Sequence, residues 1–110
     1  MDIDKEILKG YIDTIILSLI NKKSMYGFEM AKIVRDRSSE EFELKEGTMY
    51  LALKRLENNG YLESFWGEEL SEGGRRKYYR ILPAGYERLT QKKEEWRFVK
   101  RILEVFLEDN

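Results

Sequence analysis

At Gly60 the apolar period of this chain changes, and that change limits the folds open to it more than any other feature. Before Gly60, three stretches carry apolar residues at helical spacing. Leu8, Ile12, Ile15, Ile16, Leu19 and Ile20 mark a helix from about Asp4 to Asn21. Met30, Ile33 and Val34 form the stripe of a second helix from Tyr26 to Arg37, and Met49, Leu53 and Leu56 that of a third from Glu46 to Asn59. Gly60 follows Asn58-Asn59 and is itself a stop signal, because it takes a left-handed conformation without steric cost. Beyond it, Tyr61–Trp66 and Lys77–Ile81 are aromatic runs with rough alternation, separated by Gly67 to Arg76 with Gly73-Gly74 as the turn. Two such runs predict an antiparallel hairpin. Pro83, the only proline, opens a final helix to near Glu108, tolerated because a first-turn residue needs no amide hydrogen bond.

The order is helix, helix, helix, hairpin, long helix. It predicts a mainly α fold with a small β-hairpin: a winged helix-turn-helix over residues 1–82 and a C-terminal dimerisation helix over 83–110, in one compact unit. Ser38 to Phe42 is polar and acidic and reads as the connection between the second and third helices. Gly27 lowers helix propensity where the second helix begins, which predicts a close approach of two backbones there.

The chain has 110 residues, enough for one domain. A core this small is only marginally covered, so burial against a second copy would help it. Lys plus Arg (20) and Asp plus Glu (21) nearly cancel. That balance excludes coating of nucleic acid by bulk charge and requires any DNA contact to come from a local cluster. With no cysteine and no histidine, there is no disulfide framework or thiolate metal site, and the commonest general base is missing. No metal or cofactor is expected. Acidic residues are plentiful, but no spacing marks out a catalytic pair, so an enzyme is not expected. Met1 to Lys5 does not resemble a signal peptide, and Ile12–Ile20 is too short and too interrupted to span a membrane. The chain reads as cytoplasmic.

The third helix turns Gly47, Leu51, Lys54 and Asn58 away from its apolar stripe, with Thr48 and Arg55 on the flank. Lys54 and Arg55 suit phosphates or guanine edges, and Asn58 suits adenine. A solvated helix face would look similar. The hairpin is sharper, because Arg75, Arg76 and Lys77 stand together beside the glycine turn. Alternation puts Arg75 and Lys77 on one side of the strand and Arg76 on the other, able to straddle a phosphate backbone or enter a minor groove. Charge that protects an edge strand is the competing explanation, although it leaves the local imbalance unexplained. These features point to double-stranded DNA as the partner. The alternative is a winged-helix protein-interaction module, which has no need of three cations at the wing.

Three stretches resemble the PadR-like transcriptional regulators: Met25–Met30, Glu46–Glu57 and Gly73–Arg80. With the Trp96-containing tail they span nearly the whole chain, and the short last helix resembles the compact branch of that family. The resemblance implies a winged-helix repressor that dimerises through its first and last helices. It implies that Thr48 to Lys54 enter the major groove, that the Gly-Arg-Arg wing tip touches backbone or minor groove, and that Tyr50 lies near DNA. Leu82 departs from the family's frequent threonine and weakens the predicted cap of the last helix.

In that last helix Leu89, Trp96 and Leu103 repeat every seven residues, with Val99 and Phe106 on a second register; position 92 is Lys. The seam predicts a homodimer, with packing onto the first helix as the intramolecular alternative. Trp96 suits an interface anchor. Small members of the family bind flat aromatic compounds between symmetry-related tryptophans, and the resemblance therefore implies a planar aromatic ligand site. Ile7, Tyr11 and Thr14, on one face of the first helix, would line it with Trp96. A dimer presenting two third helices to successive major grooves implies a roughly palindromic operator.

Overall fold

The computed structural model describes residues 7–8, 10–71 and 74–108. Helix α1 (Ile12–Ile20) is followed by a short strand β1 (Met25–Tyr26), helix α2 (Gly27–Arg37) and helix α3 (Glu46–Asn58). Strands β2 (Leu62–Ser71) and β3 (Gly74–Ile81) come next, and helix α4 (Pro83–Leu107) closes the chain. Four helices and a three-stranded antiparallel sheet make a winged helix-turn-helix with a long C-terminal helix, as the change of period at Gly60 predicts.

Helix α1 is the centre of the core. Ile12, Ile16, Leu17, Leu19 and Ile20 are all buried, because the helix packs against α3 on one side and α4 on another. The expected helix from Asp4 is corrected at its start. Ile7 and Leu8 are helical, but Gly10 and Tyr11 form a turn, and the Tyr11 N–H donates to the Leu8 carbonyl at 2.9 Å. A glycine inside a helix costs about 1 kcal/mol relative to alanine, and here the chain re-enters the helix only at Ile12. Residues 4–6 lie outside the described residues.

Met30 and Val34 anchor α2, and Met49, Ala52, Leu53 and Leu56 anchor α3. Between the two helices, Phe42 is half-buried and Leu44 is buried, so the connection is pinned to the core by apolar side chains that its acidic character concealed. Ser39 and Glu40 are both left-handed, with φ 56° and 65°, a conformation costing about 1–2 kcal/mol per residue. The Glu40 N–H donates to the Arg35 carbonyl at 2.8 Å and the Phe42 N–H to the Ser38 hydroxyl at 3.1 Å. Gly60, with φ 76°, supplies the left-handed stop after α3.

The sheet order is β1-β3-β2. Strand β1 had no signal in the sequence: its two residues pair Met25 with Tyr79 and Tyr26 with Tyr78. The hairpin strands are longer than the aromatic runs. They pair from Leu62 opposite Ile81 to Ser71 opposite Gly74, with a bulge where the stretch from Trp66 to Leu70 faces only Lys77 to Arg75. Gly74 has φ 94°; Gly73 lies outside the described residues.

Pro83 is in the first turn of α4, and Leu82 before it makes no side-chain cap. Gly85 is buried against the chain entering β2, where an added Cβ would collide with the Tyr61 carbonyl. That same carbonyl accepts the Leu82 N–H at 3.0 Å. Gly85 and Leu89 are the buried residues of this 25-residue helix, which at 1.5 Å per residue is about 37 Å long. Its second half therefore runs out past the core, and the molecule reaches 57 Å in its longest dimension.

Candidate nucleic-acid interface

Helix α3 sorts its residues cleanly between core and solvent. Gly47, Thr48, Tyr50, Leu51, Lys54 and Asn58 are all exposed, opposite the buried face. Lys54 makes no ion pair with another described residue and is free to meet an anion. Tyr50 is partly committed to the fold: a Cβ built on Gly27 would lie 2.5 Å from its hydroxyl oxygen. The close approach expected at Gly27 is thus corrected from a backbone to the Tyr50 side chain, with Met49 beside it.

Arg55 is exposed, as its position on the flank of the helix predicts, but it is paired within the chain. Its Nε donates to Asp13 Oδ2 at 3.0 Å and its Nη2 to Asp13 Oδ1 at 2.5 Å. This two-pronged pair joins α3 to α1, and hydrogen bonding to the Asp13 carboxylate raises the Arg55 pKa above its ordinary value. Forty-two residues separate the partners, so no local pattern could announce the pair. Arg55 therefore holds α3 to α1 by an ion pair.

On the wing, Arg75, Arg76 and Lys77 are exposed and make no ion pair with another described residue. Tyr79 is buried on the helix side of β3, so alternation puts Lys77 and Arg75 on that side and Arg76, Tyr78 and Arg80 on the outer side. The outer side is a cation–aromatic ladder. Arg76 lies 4.6 Å above the Tyr26 ring, Tyr26 meets Tyr78 edge-on at 5.4 Å, Tyr78 stacks on Phe65 at 5.6 Å, and Arg80 lies 4.7 Å above Phe65. Cross-strand aromatic pairs contribute roughly 0.2–1 kcal/mol each. The ladder orients Arg76 without neutralising it, whereas Arg80 is neutralised by Glu63 opposite, at 2.6 Å. Lys77 sits 5.9 Å from the Trp66 ring. Tyr26, Phe65 and Trp66 also belong to this face; the cross-strand spacing of Phe65 and Trp66 to Tyr78 and Lys77 is a signal in the sequence, whereas Tyr26, on β1, has none.

Some charges elsewhere form local pairs. Lys23 meets Glu29 at 2.9 Å, which raises the Lys23 pKa, and Lys32 meets Asp36 at 3.0 Å, which lowers that of Asp36. Among the described residues no group of His, Cys, Asp and Glu is placed to hold a metal, and no helix is long and apolar enough to cross a membrane.

Away from this face, Tyr11 and Trp96 line a groove of about 320 Å³ with Val99, Leu103 and Leu107. Of the residues expected around an aromatic ligand, these two come together. Ile7 is exposed and Thr14 half-buried, and neither lines the groove. Trp96, Val99, Leu103 and Phe106 are 50%, 42%, 49% and 75% exposed, as an unpartnered seam would be. Leu89 is not part of that exposed seam: it is buried in the core of the chain. Phe98, Ile102, Val105 and Leu107 are exposed as well. At 100° per residue, the apolar surface of the last turns spans about 200° of the helix, wider than the seam that a seven-residue repeat describes.

The family model described as the transcriptional regulator PadR-like family matches residues 16–91. A transcriptional regulator from Clostridium thermocellum has a similar structure, with a TM-score of 0.87 and 43% identity over 96% of this chain and 99% of its own. A PadR family transcription regulator from Clostridium difficile is 52% identical, with a TM-score of 0.78, over 88% of this chain and 98% of its own. An uncharacterised protein from Lysinibacillus sphaericus is 40% identical over 103 residues, 94% of each chain.

Proposed function

This chain belongs to the PadR-like family of transcriptional regulators and is a DNA-binding regulator, and from that premise we propose that it is a homodimeric repressor. The observation that carries this reading is the set of exposed cations that α3 and the wing present. Lys54 on α3 and Arg75, Arg76 and Lys77 on the wing are exposed and make no ion pair with another described residue. The basic residues nearest them, Arg55 and Arg80, are paired within the chain. In the proposed complex α3 lies in the major groove, where Thr48, Tyr50, Leu51, Lys54 and Asn58 meet base edges or phosphates. The wing lies on the adjacent backbone or in the minor groove.

Two copies joined through the apolar overhang of α4 would set two such readers about one helical turn apart, on a roughly palindromic operator. The groove between Tyr11 and Trp96, beside the same overhang, supports a planar aromatic ligand as the releasing signal. Release requires that the ligand bind more tightly to a dimer whose readers are spaced wrongly for the operator.

The test is selection of bound duplexes from a random pool at two salt concentrations. The expected result is a palindromic motif whose affinity falls as salt rises. Absence of enrichment at low salt would replace specific DNA binding with a protein-interaction role for the same winged helix.

A further inference from the structure

Two features of the outward face of α3 are not required by the fold. Leu51 is 67% exposed and takes no part in the core that Met49, Ala52, Leu53 and Leu56 build from the same helix. Gly47, one turn earlier on that face, is a residue at which an added Cβ would meet nothing within 4 Å, and its φ is not positive. Neither packing nor backbone geometry calls for glycine there, and alanine would favour the helix. The face therefore reads, in order, as bare backbone, an isobutyl group, the exposed ammonium of Lys54 and the amide of Asn58.

A surface of this kind fits one chemistry in a major groove. The groove is polar and anionic throughout except for the 5-methyl group of thymine, which is its apolar feature. An exposed leucine beside a free cation has its complement where a thymine methyl lies next to phosphates or a guanine edge. The missing side chain at Gly47 lets the first turn of the helix come close to the bases. Resting on the DNA-binding reading above, we propose that Leu51 is a specificity-determining residue that recognises the methyl group of a thymine in each operator half-site. The selectivity comes from burying a methyl group, and so needs no hydrogen bond from this part of the helix.

The experiment uses the selected operator and replaces each thymine in turn, at equivalent positions of both half-sites, by deoxyuridine. That change removes a methyl group and leaves every hydrogen bond in place. Wild-type protein is expected to lose about fourfold in affinity per buried methyl at one position, hence about fifteenfold for the symmetric pair. The Leu51→Ala variant, whose shortened side chain no longer reaches the methyl, is expected to bind thymine and deoxyuridine operators equally. Because Leu51 is exposed and alanine is the better helix former, this variant keeps the fold, which thermal unfolding verifies. Specific binding by wild-type protein with every deoxyuridine operator bound as tightly as the original overturns the proposal while leaving the regulator intact. So does a Leu51→Ala variant that still discriminates as wild type does. Failure of wild-type protein to bind any duplex overturns the DNA-binding reading, and this inference with it.

Discussion

Arg55 offers the sharpest separation between a residue that touches DNA and one that positions a neighbour that does. Its side chain is 53% exposed and that of Asp13 35%, so the pair is screened by water despite its two hydrogen bonds. A pair of this kind contributes about 0.5–1 kcal/mol, or roughly 2–4 °C in Tm for a domain of this length. If Arg55 neutralised a phosphate, Arg55→Ala would remove two contacts from a symmetric dimer. The slope of log affinity against log salt would then become shallower by about 1.8. The structure predicts the other pattern. Arg55→Ala and Asp13→Ala should each lower Tm by the same 2–4 °C, and the double variant should lose little more, because either change breaks the same pair. Operator affinity of Arg55→Ala should fall while its salt slope stays unchanged. Fluorescence anisotropy at four or five salt concentrations, with calorimetry on the same three variants, measures both quantities. A shallower slope for Arg55→Ala together with an unaffected Tm for Asp13→Ala would refute the reasoning and return Arg55 to the DNA surface.

Other consequences follow from packing and burial. Gly85→Ala forces a Cβ into the Tyr61 carbonyl, and calorimetry should show a net loss of about 2 kcal/mol despite alanine's helix preference. An unchanged Tm would contradict the packing described. Gly47→Ala meets nothing and should stabilise the protein by up to about 1 kcal/mol while weakening operator binding in the same preparation. Leu89→Ala, in the core, should cost the fold about 2–4 kcal/mol, whereas Phe106→Ser should leave secondary structure unchanged and shift sedimentation toward monomer. Burial, and then the nearby Tyr50 and Glu57, raise the pKa of the Tyr79 phenol above 10. The folded state thus prefers the neutral form, and the corresponding stability is complete below about pH 10 and lost as pH rises through the folded value. Tyr79→Phe should accordingly show a shallower alkaline decline in denaturant midpoint than wild type.

Much of this architecture is legible in the residues because it is encoded locally. The stripes of α2 and α3, the stop at Gly60 and the start at Pro83 each depend on neighbours a few positions away. What escaped depends on partners far along the chain. Strand β1 is two residues long and exists because β3 has an open edge beside it. The Arg55–Asp13 pair and the burial of Leu89 both require α1 to lie across α3 and α4. The seven-residue repeat placed Leu89 and Leu103 on one seam, yet the core ends between them, so one is interior and the other exposed. Gly27 marks a point of close approach, but the group that approaches belongs to Tyr50, and a side chain leaves no trace in backbone propensity.

The bulge in β2 between Trp66 and Leu70 gives the wing two mechanical regimes. Below it, the strands are tied into an unbroken ladder, and β3 is gripped on its other edge by β1, so the root is stiff. Above it the ladder resumes over only two pairs, and Arg75 sits on that short outer span. A ladder interrupted at one point resists bending least at that point. In the proposed complex the outer span that carries Arg75 would then adjust to grooves of different width, holding many DNA sequences alike while the choice among them stays with α3.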